Sequence, residues 1–406
     1  MPRMVPKVAI GLVAVATAVV LAGCSSPTTT PTSTDTGTGG PLPMPTSPVT
    51  LNLVDVSGDT TIAQPMIEAY IKAYPQYLKS VNFTTGDATQ ITSKLQAQQA
   101  AGTSQIDLVL TGNDALAAGI QAGTWLQLLP AYNDQLGASV ATYQPDAKKL
   151  LDQAQGYAIV NDFGDYGPLL EYLPGSLSAP LTTPQALLDW AKANPGKFEY
   201  AEPANSGPGR AFVQGLPYAL GDSDPTDPVN GWTKTWAYLA ELGQYVTAYP
   251  SGTTATMKDL ANGSVKVVAS TAGWDINARA IGTVPKDAEI SAFDNTSWIM
   301  DSNFVAVPKG VSNDHLAVIL DLLKFMLEPA QQAMAYDDGY MYPGPSVEGV
   351  TLDMAPAASQ QTIQEFGRSE YDTLLPQYPA VTPLSATNLA TMFSMWDQKI
   401  GAGKQS

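Results

Sequence analysis

Three strand-to-helix units in direct succession constrain this chain more than any other feature. Val49 to Val56 alternates apolar and polar residues as a strand does, and Ser57-Gly58-Asp59-Thr60 makes a turn. Ile62 to Tyr74 then carries Ile62, Met66, Ala69, Tyr70 and Ala73 at helical spacing, up to Pro75. Ser80 to Thr85 and Ala88 to Ala101 repeat the pattern. Ile106 to Leu110 is a continuous apolar run, as a buried parallel strand has, and Thr111-Gly112-Asn113-Asp114 turns it into a third helix ending near Gly119 or Gly123. Alternation of this kind is joined most economically by right-handed crossovers into a parallel sheet flanked by helices.

The alternation breaks at Gly156 to Leu177, where strand-like runs at Tyr157–Val160 and Leu169–Leu173 flank Asn161-Asp162-Phe163-Gly164-Asp165. This reads as a crossing into a second domain. There Thr183 caps a helix, Pro184 suits its first turn, and Asn194-Pro195-Gly196 ends it. Lys197 to Ala201 alternates as a strand, and Asn205-Ser206-Gly207-Pro208-Gly209 opens another helix with Arg210 in its first turn. Trp232 and Trp236 stand at helical spacing and read as core. A helix around Thr256–Asn262, a strand at Val265–Ser270 and an irregular aromatic stretch to Trp298 follow. Asn303 to Pro308 is a strand leading to a helix over Asp314–Leu327, a further helix from Glu328-Pro329 to about Tyr336, and an amphipathic remainder after Pro345.

At the N-terminus, Arg3 and Lys7 precede an apolar run from Val8 to Ala22 that closes on Leu21-Ala22-Gly23-Cys24. That is a secretory leader, shorter than the roughly 20 residues of a spanning helix. LAGC resembles a bacterial lipobox, which implies that Cys24 becomes a palmitate-bearing N-terminus on the outer face of the cytoplasmic membrane. An ordinary signal peptide or an uncleaved anchor is the alternative. Cys24 is the only cysteine, so the folded part holds no disulfide. Residues 25–48 are Ser/Thr/Pro/Gly-rich and read as a disordered tether with a span of roughly 25–30 Å. Loss of Arg3 and Lys7 with the leader takes the formal charge from −17 to −19. A surface that acidic argues against nucleic acid.

Several pieces, taken in order, resemble the extracytoplasmic solute-binding proteins of ABC importers. LNLVDVSGD looks like their first strand and turn, and IDLVLTGNDALAAGIQAGTWLQL like their third strand and helix. GPLLEYLPGSL looks like the recrossing strand. PQALLDWAKANPGKFEYAEPANSGPGRAFV resembles the second-domain entry of the polyamine, thiamine and iron binders. NFVAVPKGVSNDHLAVILDLLKFMLEPAQQAMAYDDGYMYPG resembles the return strand and helices. The resemblance implies a type 2 periplasmic-binding-protein fold: two α/β lobes, each a mainly parallel sheet flanked by helices, with a ligand cleft between them. It implies residues 1–23 as leader, 24–48 as lipidated tether, 49–162 and 303–345 as the first lobe, 163–302 as the second, and 346–406 as helices packing back on both. Asn161–Gly164 and Ser302–Phe304 are then the hinge crossings. A monomer that closes on a solute and docks on an ABC permease is the implied function, with no cofactor and no catalysis.

Ligands of open α/β sheets bind beyond the carboxyl ends of the strands. This selects Ser57, Asp59, Thr60, Thr111 and Asn113 in the first lobe, with Ser206, Gly207, Arg210, Ser270, Thr271 and Trp274 in the second. Asp59, Ser57, Asn113 and Asp114 could equally be helix caps. The amides, hydroxyl and guanidinium around Ser206–Arg210 suit a carboxylate or phosphate, and Arg210→Ala is expected to weaken binding at least about tenfold with little loss of stability. Trp274, Trp298, Tyr340 and Tyr342 read as loop aromatics able to stack on a sugar or amine, and Asp162, Asp275 and Asp301 could pair with an amine. These residue types leave sugar, polyamine, thiamine-like and anionic solutes open. The single histidine, His315, has no histidine partner for zinc, and no G-x-S-x-G elbow occurs. Rival readings are an exported glycosidase-like hydrolase using two carboxylates, and a ligand-sensing or adhesion lipoprotein on the same fold.

Overall fold

The computed structural model describes residues 40–404; the leader, Cys24 and the tether up to residue 39 lie outside the described residues. The three initial units form β1 (Val49–Asp55), α1 (Thr60–Ala73), β2 (Leu78–Thr85), α2 (Ala88–Ala100), β3 (Leu108–Thr111) and α3 (Asn113–Ala122). β1 lies between β2 and β3, parallel to both. After α4 (Asn133–Val140) and α5 (Pro145–Gln153), β4 (Ala158–Gly167) leaves this lobe. The polar run Asn161–Asp165, expected as a break between two strands, lies within β4 and is buried along its length. Part of this polar run is paired inside: Asn161 Nδ2 donates to Asp59 at 2.9 Å and Asn303 Nδ2 donates to Asp162 at 2.9 Å, while the buried Asn161 Oδ1 has no hydrogen-bond partner among the described residues.

The second lobe comprises β5 (Leu169–Tyr172), α6 (Pro184–Ala193), β6 (Phe198–Glu199), α7 (Gly207–Leu220), α8 (Thr233–Leu242), α9 (Thr253–Asn262), β7 (Val267–Ser270), α10 (Ala272–Ala280) and β8 (Glu289–Ser291). β9 (Trp298–Ala306) returns the chain to the first lobe, followed by α11 (Asn313–Met326), α12 (Pro329–Gln332) and β10 (Pro343–Pro345). The chain ends in α13 (Ala357–Phe366), α14 (Tyr371–Leu374), β11 (Ala380–Val381) and α15 (Ala386–Trp396).

The first sheet runs β10-β4-β9-β3-β1-β2 with β11 beside β9, and the second runs β6-β7-β5-β8. Both are mixed rather than mainly parallel. β9 is antiparallel to β3 and β4, and in the second sheet only β6–β7 is parallel. The reason is connectivity: a chain that leaves a lobe along one strand and returns along its neighbour must run the two in opposite directions. Each lobe has its own apolar core, the second built around Phe198, Tyr200, Phe212, Trp232 and Leu239. Trp298, expected as a loop aromatic, begins β9 and is 1 % exposed, its indole donating to Leu375 O at 2.9 Å. The irregular stretch before it conceals α10 and β8. Leu42 and Met44 of the expected tether pack against the first core, and Gln135 Nε2 donates to Gly40 O at 3.1 Å.

The C-terminal segment spans the rear of the crossing. Gln153 Nε2 of α5 donates to the carbonyls of Pro383 and Leu384 at 2.8 and 3.0 Å, while Leu384 N donates to Gln214 Oε1 of α7 at 2.7 Å. α15 packs on α3 and carries Leu389, Met392 and Trp396 into the second core. Trp396 Nε1 donates to the Tyr200 hydroxyl at 3.0 Å.

Candidate functional site

The carboxyl ends of β1 and β3 face the starts of α7 and α9 across a cleft of about 680 Å³. Ser57, Asp87, Gly112 and Asp114 contribute from the first lobe; Ser206, Gly207, Arg210, Thr253, Lys258 and Trp274 contribute from the second. Asp165 of β4, Asp301 and Asn303 of β9, and Tyr340 on the segment before β10 make the floor.

The turn after β1 is organised by Asp55, which the sequence reading passes over. Its Oδ1 accepts Ser57 N and Gly58 N at 2.9 Å each, and its Oδ2 accepts Thr60 N at 2.9 Å and Thr60 Oγ1 at 2.6 Å. Gly58 sits at φ +84°, a conformation that glycine adopts without strain. Thr60 is thereby consumed in the turn. Asp59 occupies the cap position of α1 without making a cap bond. It is buried behind the cleft, where burial and the neighbouring Asp162 push it well above the ordinary carboxylate range. Burial pushes Asp162 up to about 7. Neither carboxyl lines the cleft.

Thr111, Ser270 and Thr271 are likewise buried at strand ends, with Thr111 Oγ1 donating to Gly112 O at 3.1 Å. Asn113 faces β9, its Nδ2 donating to Asp301 Oδ1 at 2.7 Å. Of the residues selected from sequence, Ser57, Ser206, Gly207, Arg210, Trp274, Asp301 and Tyr340 line the cleft. Asp59, Thr60, Thr111, Asn113, Asp162, Ser270, Thr271 and Trp298 do not, because each is turned into the fold by a hydrogen bond or by the core. Tyr342 stacks at a tilt on Tyr371, and Asp275 is fully buried between Arg279 and Arg368.

Ser206, whose hydroxyl was expected to face a ligand, caps α7 instead, its Oγ accepting Gly209 N at 3.0 Å. Arg210 departs from expectation. Its Nη2 meets Asp301 Oδ2 at 2.8 Å and its Nη1 lies 3.8 Å from Asp114 Oδ2, so one guanidinium joins the second lobe to the crossing strand and to the first lobe. Burial alone would depress Arg210, but Asp301 and Asp114 more than offset it and keep it charged. A guanidinium so engaged is not a free anion hook.

Asp165 was not singled out from sequence. It sits at φ +45°, an uncommon value for a residue with a side chain, and its Oδ1 accepts Gly273 N at 2.9 Å, Trp274 N at 3.3 Å and the Thr271 hydroxyl. β4 therefore supplies the N-terminal cap that α10 lacks in its own sequence. Burial raises Asp165 to about 7, with the charge of Asp301 adding to it. The approach is tight: a Cβ on Gly273 would fall 1.9 Å from Tyr340 O and 2.7 Å from Asp165 Oδ1. Gly273→Ala is accordingly expected to destabilise the protein by about 1–3 kcal/mol in urea unfolding. An unchanged midpoint would mean that the Tyr340 segment moves freely.

Among the described residues no cluster of three or more His, Cys, Asp or Glu side chains is placed to hold a metal ion, and none of the helices is long and apolar enough to cross a membrane. His315 Nδ1 instead pairs with Asp107 Oδ1 at 2.8 Å.

Residues 66–363 match the model of a family described as bacterial extracellular solute-binding protein. No curated protein matches the chain. Among solved structures, it is similar to an ABC transporter protein from Clostridium perfringens (TM-score 0.65, 13% identity, 87% of this chain and 99% of that one). It is also similar to the spermidine/putrescine ABC transporter substrate-binding protein of Streptococcus pneumoniae (TM-score 0.58, 13% identity, 86% and 99%). A third is a periplasmic binding protein from Actinobacillus pleuropneumoniae, solved with exogenous fructose-6-phosphate (TM-score 0.60, 13% identity, 87% and 99%). At such identities the likeness is one of fold: two lobes about a cleft.

Proposed function

This chain belongs to the bacterial extracellular solute-binding protein family, and we propose that it is a lipid-anchored receptor that captures a small solute by hinge closure and delivers it to an ABC importer. The family is one of binding proteins rather than catalysts, and the hydrolase rival gains no observation. The single observation that carries the reading is the construction of the cleft. Its walls come from both lobes and its floor from strands that cross between them, so a solute touching both walls favours the closed arrangement. ABC import is what the titles of structural neighbours name for those proteins, and it is carried here as a proposal. The LAGC sequence supports the anchor at Cys24 and an extracytoplasmic, membrane-tethered location.

Three measurements test this. A thermal-shift screen of the mature protein is expected to find a solute that raises Tm by several degrees, since a ligand bound only to the folded state stabilises it by mass action. A deletion strain is expected to lose uptake of that solute, and Cys24→Ser to lose palmitate labelling. Binding with uptake intact in the deletion strain would favour a sensor over a transporter.

A further inference from the structure

We propose that the cleft selects an organic cation, a protonated amine or quaternary nitrogen held by Oδ2 of Asp165 beside the rings of Trp274 and Tyr340. The proposal rests on the receptor reading and names the class of its solute.

Asp165 is 3 % exposed, yet its three hydrogen bonds all go to Oδ1. Among the described residues no donor holds Oδ2, and the residue lines the cleft. Oδ2 would lie 3.5 Å from a Cβ on Gly207, next to Asp301 Oδ2 at 3.2 Å from the same point, so two carboxylate oxygens converge where α7 begins. Such a carboxylate, short of water and of donors, gains most from a positive partner.

The protein's own cation does not fill that role. Arg210 is spent on Asp301 and Asp114, and the other basic residue of the lining, Lys258, is exposed on the second-lobe wall. Tyr340 lines the same floor as Asp165 and Asp301, whose Oδ2 atoms converge there. Trp274 and Tyr340 stand edge to face at 5.9 Å, which presents an aromatic surface beside the carboxylate. Carboxylate and aromatic face together recognise a nitrogen cation and oppose a phosphate.

Calorimetry of the mature protein with 1,4-diaminobutane, choline and thiamine, against glucose and glucose 6-phosphate, tests this. At least one of the cations is expected to bind, and Asp165→Asn to weaken it at least thirtyfold. The asparagine oxygen can still accept the α10 amides, so the variant should fold by circular dichroism. Should it not fold, wild-type titrations at pH 6.5 in two buffers of different ionisation enthalpy give an independent readout. Cation binding should then release up to one proton, because Asp165 titrates among Asp301, Asp162, Tyr340 and Arg210 with its proton partly in place. Equal cation affinity in a folded Asp165→Asn, or no cation binding, overturns the proposal. If glucose or glucose 6-phosphate binds instead, the receptor reading stands while this one falls; an uptake-neutral deletion with no solute found removes the receptor reading itself.

Discussion

Replacing Arg210 with alanine is expected to cost about 2–4 kcal/mol of stability, measured by urea unfolding. The residue type and its place at the start of α7 suggested a ligand hook whose loss the fold would tolerate. Its surroundings say otherwise. Asp301 Oδ2 receives Arg210 at 2.8 Å while Asp301 Oδ1 receives Asn113 at 2.7 Å, so the carboxylate is shared between the lobes. Removing the guanidinium leaves Asp301 and Asp114 facing each other across a largely buried gap without a counter-charge. A double-mutant cycle with Asp301→Ala separates the pair from the packing, and a coupling of about 1–3 kcal/mol is expected. Strictly additive single mutants would show that the bridge contributes nothing.

Stability is also expected to fall as pH rises from about 5 to 8.5, the reverse of ordinary acid denaturation. Burial raises Glu171 to about 8, and Asp162, Asp165 and Glu199 to about 7, from intrinsic values of 4.5 for glutamate and 3.8 for aspartate. Through that window the folded protein keeps protons that the unfolded chain has released. The stabilisation is therefore full below the unfolded values and is lost as pH climbs through 7 and 8. Glu171 is fully buried on β5 with the charge of Asp275 raising it further, and it alone would account for a few kcal/mol. Glu171→Gln should flatten the profile by about 1.4 kcal/mol per pH unit between pH 5.5 and 7.5. Denaturant midpoints that stay level over this range in both proteins would refute the buried-acid account.

What the sequence discloses and what it hides divide along one physical line. β1, α1, β3 and the Ser206 cap of α7 are set by local periodicity and local hydrogen bonds, and they form where their residues indicate. α10 is different. Thr271 holds its N-cap position but gives its hydroxyl to Asp165, more than a hundred residues upstream, which bonds the α10 amides in its place. Asn161–Asp165 reads as a break because it is polar, yet it is strand, because Asn303, Asp59 and Thr271 bond to it from elsewhere. The cleft follows the same rule. Serine, glycine and arginine at a helix start announce a wall, whereas the floor is made by aspartates whose neighbours come from distant segments. Asp301 is legible in the sequence as one of three acids able to meet an amine, but not as the partner that Arg210 and Asn113 share. The mixed sheets follow from the crossings themselves, which residue preferences do not encode.

The C-terminal segment across the rear of the crossing limits how this molecule can be taken apart. An isolated second lobe, cut at its two crossing strands, would lose Leu389, Met392 and Trp396 from its core and leave the Tyr200–Tyr249 aromatic pair without its cover. The same segment is bonded to α5 of the other lobe, so it cannot be assigned to either side of the cut. Lobe exchange between receptors, a natural route to altered specificity, would here be a three-part graft: the second lobe must travel with residues 380–404, and the recipient must present α3 and α5 surfaces that accept them. Specificity in this protein is thus more readily re-engineered by single side chains on the cleft floor than by recombining its lobes.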